Sequence, residues 1–167
     1  MKKIYILALM ATAILYSGCA SDRNTVALDT VGPAQLSKPH PATADQGTLV
    51  VYSAANPSPD FAARDPYRQV YSNYEIYSLD GRLLKKIHNN DDTMLQRPVG
   101  VGMPAGKYTV QARANGYGLV SVPVIIQAGQ STVVHLEGGA NFGNRPASDT
   151  NMVRLPDGQI VGWRASL

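Results

Sequence analysis

From Gly47 to Glu137 the sequence repeats one pattern, in which a short run of β-branched and aromatic residues is followed by a turn signal. Apolar and polar residues alternate within these runs, and a period of two is typical of strands with one buried face. No run shows the 3.6-residue apolar period of an amphipathic helix. Seven runs follow this pattern: 48–54, 70–79, 82–89, 99–103, 107–114, 119–127 and 131–136. The spacing predicts an all-β fold, a single antiparallel seven-stranded β-sandwich over residues 47–137.

Two runs carry more specific signals. In 70–79 the alternation places Tyr74 and Ile76 on one face and Tyr71, Glu75 and Tyr77 on the other. The run ends at Asp80-Gly81, a dipeptide that favours a tight hairpin because both central residues of such a turn take positive φ. In 119–127, Pro123 has no backbone N–H to donate, which predicts an edge strand or a bulge there.

The composition excludes several classes of protein. A single cysteine cannot close an intramolecular disulfide, and 44% hydrophobic residues with 16% charged fit a packed domain. The formal net charge of +3 falls to +1 without residues 1–18, because Lys2 and Lys3 are then lost. So small an excess of positive charge does not indicate a nucleic-acid partner.

The first nineteen residues have the organisation of a secretory signal. Lys2 and Lys3 precede 12 mostly apolar residues, 4–15, which are too few to span a bilayer, since that takes about 20. Ser17-Gly18 and the single cysteine, Cys19, follow. The open alternative is an ordinary signal peptide that leaves a free thiol at Cys19.

The Ser17-Gly18-Cys19 motif resembles the lipobox of bacterial lipoproteins, although Tyr16 stands where those proteins usually have an aliphatic residue. The resemblance implies removal of residues 1–18, acylation of Cys19 and a lipid bilayer as partner. Cys19 is followed by Ala20 and Ser21 rather than Asp, which in such lipoproteins implies the outer membrane, facing the periplasm or the cell surface.

Three further segments complete the predicted domain organisation. Residues 19–46 are predicted to be the lipidated N-terminus and a flexible spacer, and 138–150 a mobile linker. Residues 151–167 predict a small C-terminal hairpin around Pro156-Asp157-Gly158. We expect this hairpin and Trp163 to dock on the sandwich, because an isolated two-stranded hairpin is marginally stable in water.

The run from Met103 to Ala112, closed by Gly116-Tyr117, is similar to the L-P-x-G-x-Y-x-V-x-A … G-Y signature of carboxypeptidase regulatory-like and PEGA-like domains. Met103 replaces the usual leucine. The resemblance covers about half of the chain and implies a prealbumin-like or immunoglobulin-like sandwich of the bacterial envelope. A sandwich fold does not by itself imply an activity.

Motifs for catalysis and cofactor binding are missing from the sequence. It has no Gly-x-Ser-x-Gly, no His-Glu-x-x-His and no phosphate-binding glycine loop, so we expect no enzyme, no cofactor and no metal. The alternative is a metal-dependent hydrolase around His88, Asp91 and Asp92, weighed against a solvated hairpin end.

Tyrosines supply the candidate contact residues. Tyr71 and Tyr77 share a predicted strand face, and the long connection 55–69 carries Phe61 and Tyr67. Such rings either complete the core or contact a ligand. The sequence therefore predicts a membrane-anchored envelope lipoprotein with a non-catalytic structural or protein-interaction module. The alternative is a module that binds carbohydrate or peptidoglycan.

Overall fold

The structure is a computed structural model that describes residues 25–33, 45–55, 70–90, 97–138 and 150–165. Across these ranges the chain forms strands, turns and short irregular segments, with no helix, so the all-β prediction is confirmed. The strands are β1 Val26–Ala27, β2 Val31–Gly32, β3 Gln46–Tyr52, β4 Tyr74–Tyr77, β5 Leu83–Ile87, β6 Gly100–Pro104, β7 Gly106–Ala114, β8 Gly118–Ile126, β9 Ser131–His135, β10 Met152–Arg154 and β11 Ile160–Arg164.

The strands form two sheets. The large sheet has the order β10-β11-β2-β8-β7-β4-β5, with β1 also on β8, and the small sheet has the order β6-β3-β9. The prediction of a wholly antiparallel arrangement is wrong, because β1 and β2 run parallel to β8 and β3 runs parallel to β9. Residue alternation reports which face of a strand is buried, and it carries no information about the direction of the neighbouring strand.

Both sheets contribute to one hydrophobic core. Alternate residues of the strands are buried, as in β8, where Val120, Val122 and Val124 are fully buried. Side chains of the small sheet, such as Leu49 and Val134, join the same cluster. Tyr74 and Ile76 are buried, with Glu75 and Tyr77 on the opposite face.

The two ends of the domain differ in what they carry. At the upper end β3, β5, β7 and β9 finish and β4, β6 and β8 begin. At the lower end lie the hairpin turn around Asp80-Gly81 and the turn around Ala128-Gly129. Beside the upper end, the Ala54 N–H donates to the Arg113 carbonyl at 2.7 Å and the Asn115 N–H to the Leu136 carbonyl at 2.8 Å. These bonds join the two sheets at that end.

Residues 25–33 differ from the flexible spacer predicted for 19–46. Val26 pairs with Val120 and Val31 with Val124, so the segment lies along the edge of β8. Val31 is fully buried in the core. This stretch lacks a recognisable period because β1 and β2 are two residues long each. The rest of the predicted spacer, apart from the start of β3, lies outside the described residues.

Pro123 explains why this edge is split into two short strands. The Leu28 N–H donates to the Ser121 carbonyl at 3.0 Å, and the next bond of a parallel ladder would need an N–H at Pro123. Pairing resumes only at Val31. Val31 lies five residues after Val26, whereas its partner Val124 lies four residues after Val120, so the N-terminal segment contains one extra residue. The irregularity expected at Pro123 is therefore present, on a strand that is central in the sheet.

The C-terminal strands β10 and β11 pair antiparallel around the Pro156-Asp157-Gly158 turn. They join the large sheet only through β2, with Trp163 opposite Gly32 and Arg164 opposite Val31. Gly162 permits this packing, since a Cβ there would lie 2.8 Å from the Val133 carbonyl oxygen and from a Val31 methyl group. The hairpin thus depends on the N-terminal strand.

A buried amide holds the two sheets together at the upper end. Asn89 is fully buried after β5, and its Nδ2 donates to the Val51 carbonyl at 2.8 Å and to Ser53 Oγ at 3.0 Å. Its Oδ1 accepts from the Val99 N–H at 3.1 Å. All three partners belong to the small sheet or its flanks, so this one side chain satisfies backbone groups that water cannot reach.

We expect Asn89→Ala to lower the free energy of unfolding by about 2–4 kcal/mol, because it leaves several buried polar groups without partners. Chemical denaturation of the mature chain measures this loss. Asn90→Ala is the matched control, since Asn90 is only half-buried. An equal effect of the two substitutions would contradict the role given to Asn89.

Candidate functional site

The outer face of the large sheet, on β5, β4, β7 and β8, carries polar side chains from all four strands. Glu75 lies at its centre, opposite Lys86 on β5 and Gln111 on β7. Farther along, Arg113 pairs with Leu119 and Thr109 with Pro123. Most of these side chains are half-buried or exposed. The face is flat, and its chemistry changes from the upper end to the lower end.

The centre of this face is an ionic cluster. The Tyr77 hydroxyl donates to one oxygen of Glu75, and Lys86 Nζ lies 2.9 Å from the other. The hydrogen bond from Tyr77, and then the interaction with Lys86, hold the pKa of the Glu75 carboxyl below its ordinary value. The same hydrogen bond raises the pKa of the Tyr77 hydroxyl. Glu75 is therefore ionised and balanced by Lys86 at neutral pH.

A shallow open groove of about 510 Å³ occupies the upper part of this face. Its polar lining comes from Asn73, Glu75, Lys86, His88 and Arg113. Because Lys86 already balances Glu75, and Arg113 has no ion pair within the described segments, the groove is net positive. His88 is exposed at its rim.

The lower part of the same face carries exposed apolar side chains beside the exposed Lys107. Leu79 is 69% exposed and Leu83 is 40% exposed, and no other large hydrophobic side chain of the described ranges is as open to solvent. Leu79 also borders a small pocket of about 100 Å³ with Lys107, Pro123 and Ile125. We call Leu79, Leu83, Pro123 and Ile125 the lower patch. Exposed apolar clusters of this kind are typical of protein interaction sites.

An aromatic and acidic cluster lies at the upper end of the small sheet. The rings of Tyr52 and His135 stack with centroids 4.5 Å apart, and Tyr71 meets Tyr52 edge-on at 5.6 Å. His135 Nδ1 lies 2.8 Å from Glu137 Oε1. Burial, then the charge of Glu137 and the nearby Tyr52, raise the pKa of Tyr71. The rings pack on one another rather than presenting open faces.

The structure separates the tyrosines that the sequence grouped. Tyr77 lies on the outer face of the large sheet with Glu75, whereas Tyr71 packs against Tyr52 of the small sheet. Tyr71 forms an isolated antiparallel bridge with Ala55, which follows β3 of the small sheet. Phe61, Tyr67 and Cys19 lie outside the described residues. Ligand contact by any of the four aromatics therefore stays a prediction.

The metal-site alternative is not tested by the structure. His88 is exposed beside the groove, while Asp91 and Asp92 lie outside the described residues. Within the described ranges, no three His, Cys, Asp or Glu side chains lie close enough to hold a metal ion. In the same ranges, no helix is long and apolar enough to cross a membrane.

Sequence analysis missed Arg113 and the two leucines as surface features. Arg113 lies on the predicted solvent-facing side of the strand 107–114, where a charged residue is ordinary. Leu79 and Leu83 flank the Asp80-Gly81 turn, where apolar residues read as strand ends. The only sequence clue to their exposure was their position next to a strong turn signal. Comparison with known proteins returned no matching family model, no matching curated sequence and no matching solved structure.

Proposed function

We propose that the protein is a lipoprotein of the bacterial envelope, held in the outer membrane through acylated Cys19, with a non-catalytic domain that binds another envelope protein. The lipobox-like Ser17-Gly18-Cys19 motif supports the anchor. Several acyl chains make a stable tether because each buried CH₂ contributes about 0.8 kcal/mol. The exposed leucines Leu79 and Leu83 carry the proposal of a protein partner.

We also propose that the two sheets form a sandwich of the carboxypeptidase regulatory-like or PEGA-like kind. Support comes from the shared core and from the position of the signature. Pro104 ends β6, Gly106 to Ala114 form β7, and Gly116 takes a φ of 83° in the following turn. The additional strands β1, β2, β10 and β11 extend one sheet beyond the seven strands expected.

The lower patch favours a protein over a glycan. Sugar-binding sites offer an open aromatic face with nearby hydrogen-bonding groups. Tyr52 instead stacks on His135 and meets Tyr71 edge-on, and the Tyr77 hydroxyl is bonded to Glu75. Leu79 and Leu83 have exposed aliphatic side chains, which are suited to the apolar centre of a protein interface. Carbohydrate or peptidoglycan binding stays the alternative.

We expect Cys19→Ala to move the protein from the membrane fraction to the soluble fraction, because the acyl chains supply the membrane affinity. Fractionation of cells that express the full-length chain measures this. Ser17→Thr is a control substitution beside the cysteine that keeps the thiol. Retention of Cys19→Ala in the membrane fraction would contradict the anchor.

A photo-reactive residue at position 79 or 83 is expected to give one discrete protein adduct in intact cells. The same residue at Gln127, exposed at the lower end but outside the lower patch, is the control. Mass spectrometry identifies the adduct, and Leu83→Asp should abolish the one formed from position 79. Equal adducts at all three positions, or none at 79 and 83, would contradict a protein-binding lower patch.

A further inference from the structure

The distance between the proposed anchor and the folded domain is short. Thr25 is the first described residue and directly precedes β1, where Val26 pairs with Val120 near the start of β8. Six residue steps separate Cys19 from Thr25, and a fully extended chain covers about 20 Å over that length. The upper end of the domain is thus held within about 20 Å of an acylated Cys19.

The net-positive groove lies at the same corner of the domain. Leu119 lines the groove and is the immediate neighbour of Val120, the partner of Val26. Across β7 and β8, Arg113 pairs with Leu119. The point where the tether joins the sheet and the cationic side chains of the groove are therefore adjacent.

We propose that this groove docks on the bilayer, with Arg113 and Lys86 binding the phosphates of anionic lipid headgroups. The proposal rests on the proposed anchor at Cys19. Tethering keeps the groove at the membrane surface, so its net positive charge, supplied by Arg113 once Lys86 is balanced by Glu75, needs to determine only the orientation. Each basic residue near an anionic surface contributes about 1 kcal/mol, and the attraction falls off within a Debye length.

Docking at the upper end gives the outer face one orientation. Strand β8 has nine residues, from Gly118 to Ile126, and such a strand spans about 27 Å. The lower patch lies at the opposite end of the same face, farther from the tether, where a second envelope protein can reach it.

Lysine acetylation on vesicles tests the docking without depending on lipidation by the cell. The mature chain, residues 19–167, is coupled through its only thiol, Cys19, to a maleimide lipid. One vesicle preparation contains phosphatidylcholine alone, and the other also contains phosphatidylglycerol. Mass spectrometry follows acetylation at Lys86, whose side chain is 72% exposed, and at the exposed Lys107 on the lower half of the face as the internal control.

On anionic vesicles we expect acetylation of Lys86 to slow about fivefold relative to Lys107, the factor that corresponds to about 1 kcal/mol. High salt and Arg113→Glu should each remove this difference. Arg113 is exposed, and an unchanged circular dichroism spectrum reports that the variant is folded. Inorganic phosphate on neutral vesicles should not protect Lys86.

Three results would overturn the proposal. Equal rates at the two lysines on both vesicles would show that the groove does not face the bilayer. Protection by inorganic phosphate alone would assign the groove to a free anion. Protection that survives Arg113→Glu would place the contact elsewhere. If only the anchor proposal is wrong, coupled protein still docks, while the Cys19→Ala protein stays with the membrane fraction in cells.

Discussion

The pairing of residues 25–33 with the edge of β8 is the constraint on which the rest of the structure depends. Without it β8 would present an open edge in the middle of the protein, and the β10–β11 hairpin would have no strand to pair with. The Arg164–Asp29 ion pair, at 2.8 Å, and the bond from the Ala165 N–H to the Thr30 carbonyl, at 3.0 Å, lie along the same seam. Exposed edges of this length invite aggregation, so covering the edge protects the fold.

The same pairing shortens the segment that separates Cys19 from the folded domain. A flexible segment of 28 residues, as predicted for 19–46, would let an anchored domain sample a wide volume. With Val26 already in the sheet, only the residues between Cys19 and Thr25 remain to span that gap. Under the proposed anchor at Cys19, this pairing would limit how far the upper end of the domain can move from the bilayer.

Seven of the strands could be predicted because their alternation is local. Each of β3 to β9 overlaps a run read from the sequence, and Asp80-Gly81 and Gly116 mark turns in the expected places. The parallel partners could not be predicted, since β3 and β9 are far apart in the chain and their pairing leaves no local pattern. The strand at Val31 could not be predicted either, because a two-residue strand is too short to show a period.

The buried polar contacts could not be predicted from the sequence either. Asn89 stands in an Asn-Asn-Asp-Asp run that reads as a solvated turn, yet it is fully buried and bonded to the Val51 carbonyl. Thr132 is fully buried too, and its hydroxyl donates to the Ile125 carbonyl of the other sheet at 2.7 Å. The residue type specifies hydrogen-bonding capacity, and only the tertiary arrangement decides which partner satisfies it.

Amide hydrogen exchange at Leu28 in the mature chain tests the central claim most directly. Its N–H donates to the Ser121 carbonyl at 3.0 Å, in a stretch that as a free spacer would have no protection. The account predicts exchange slowed by about 100-fold or more relative to an unstructured chain, equivalent to about 2.7 kcal/mol for opening the strand. Exchange at the unstructured rate, with the amides of β7 and β8 still protected, would contradict it.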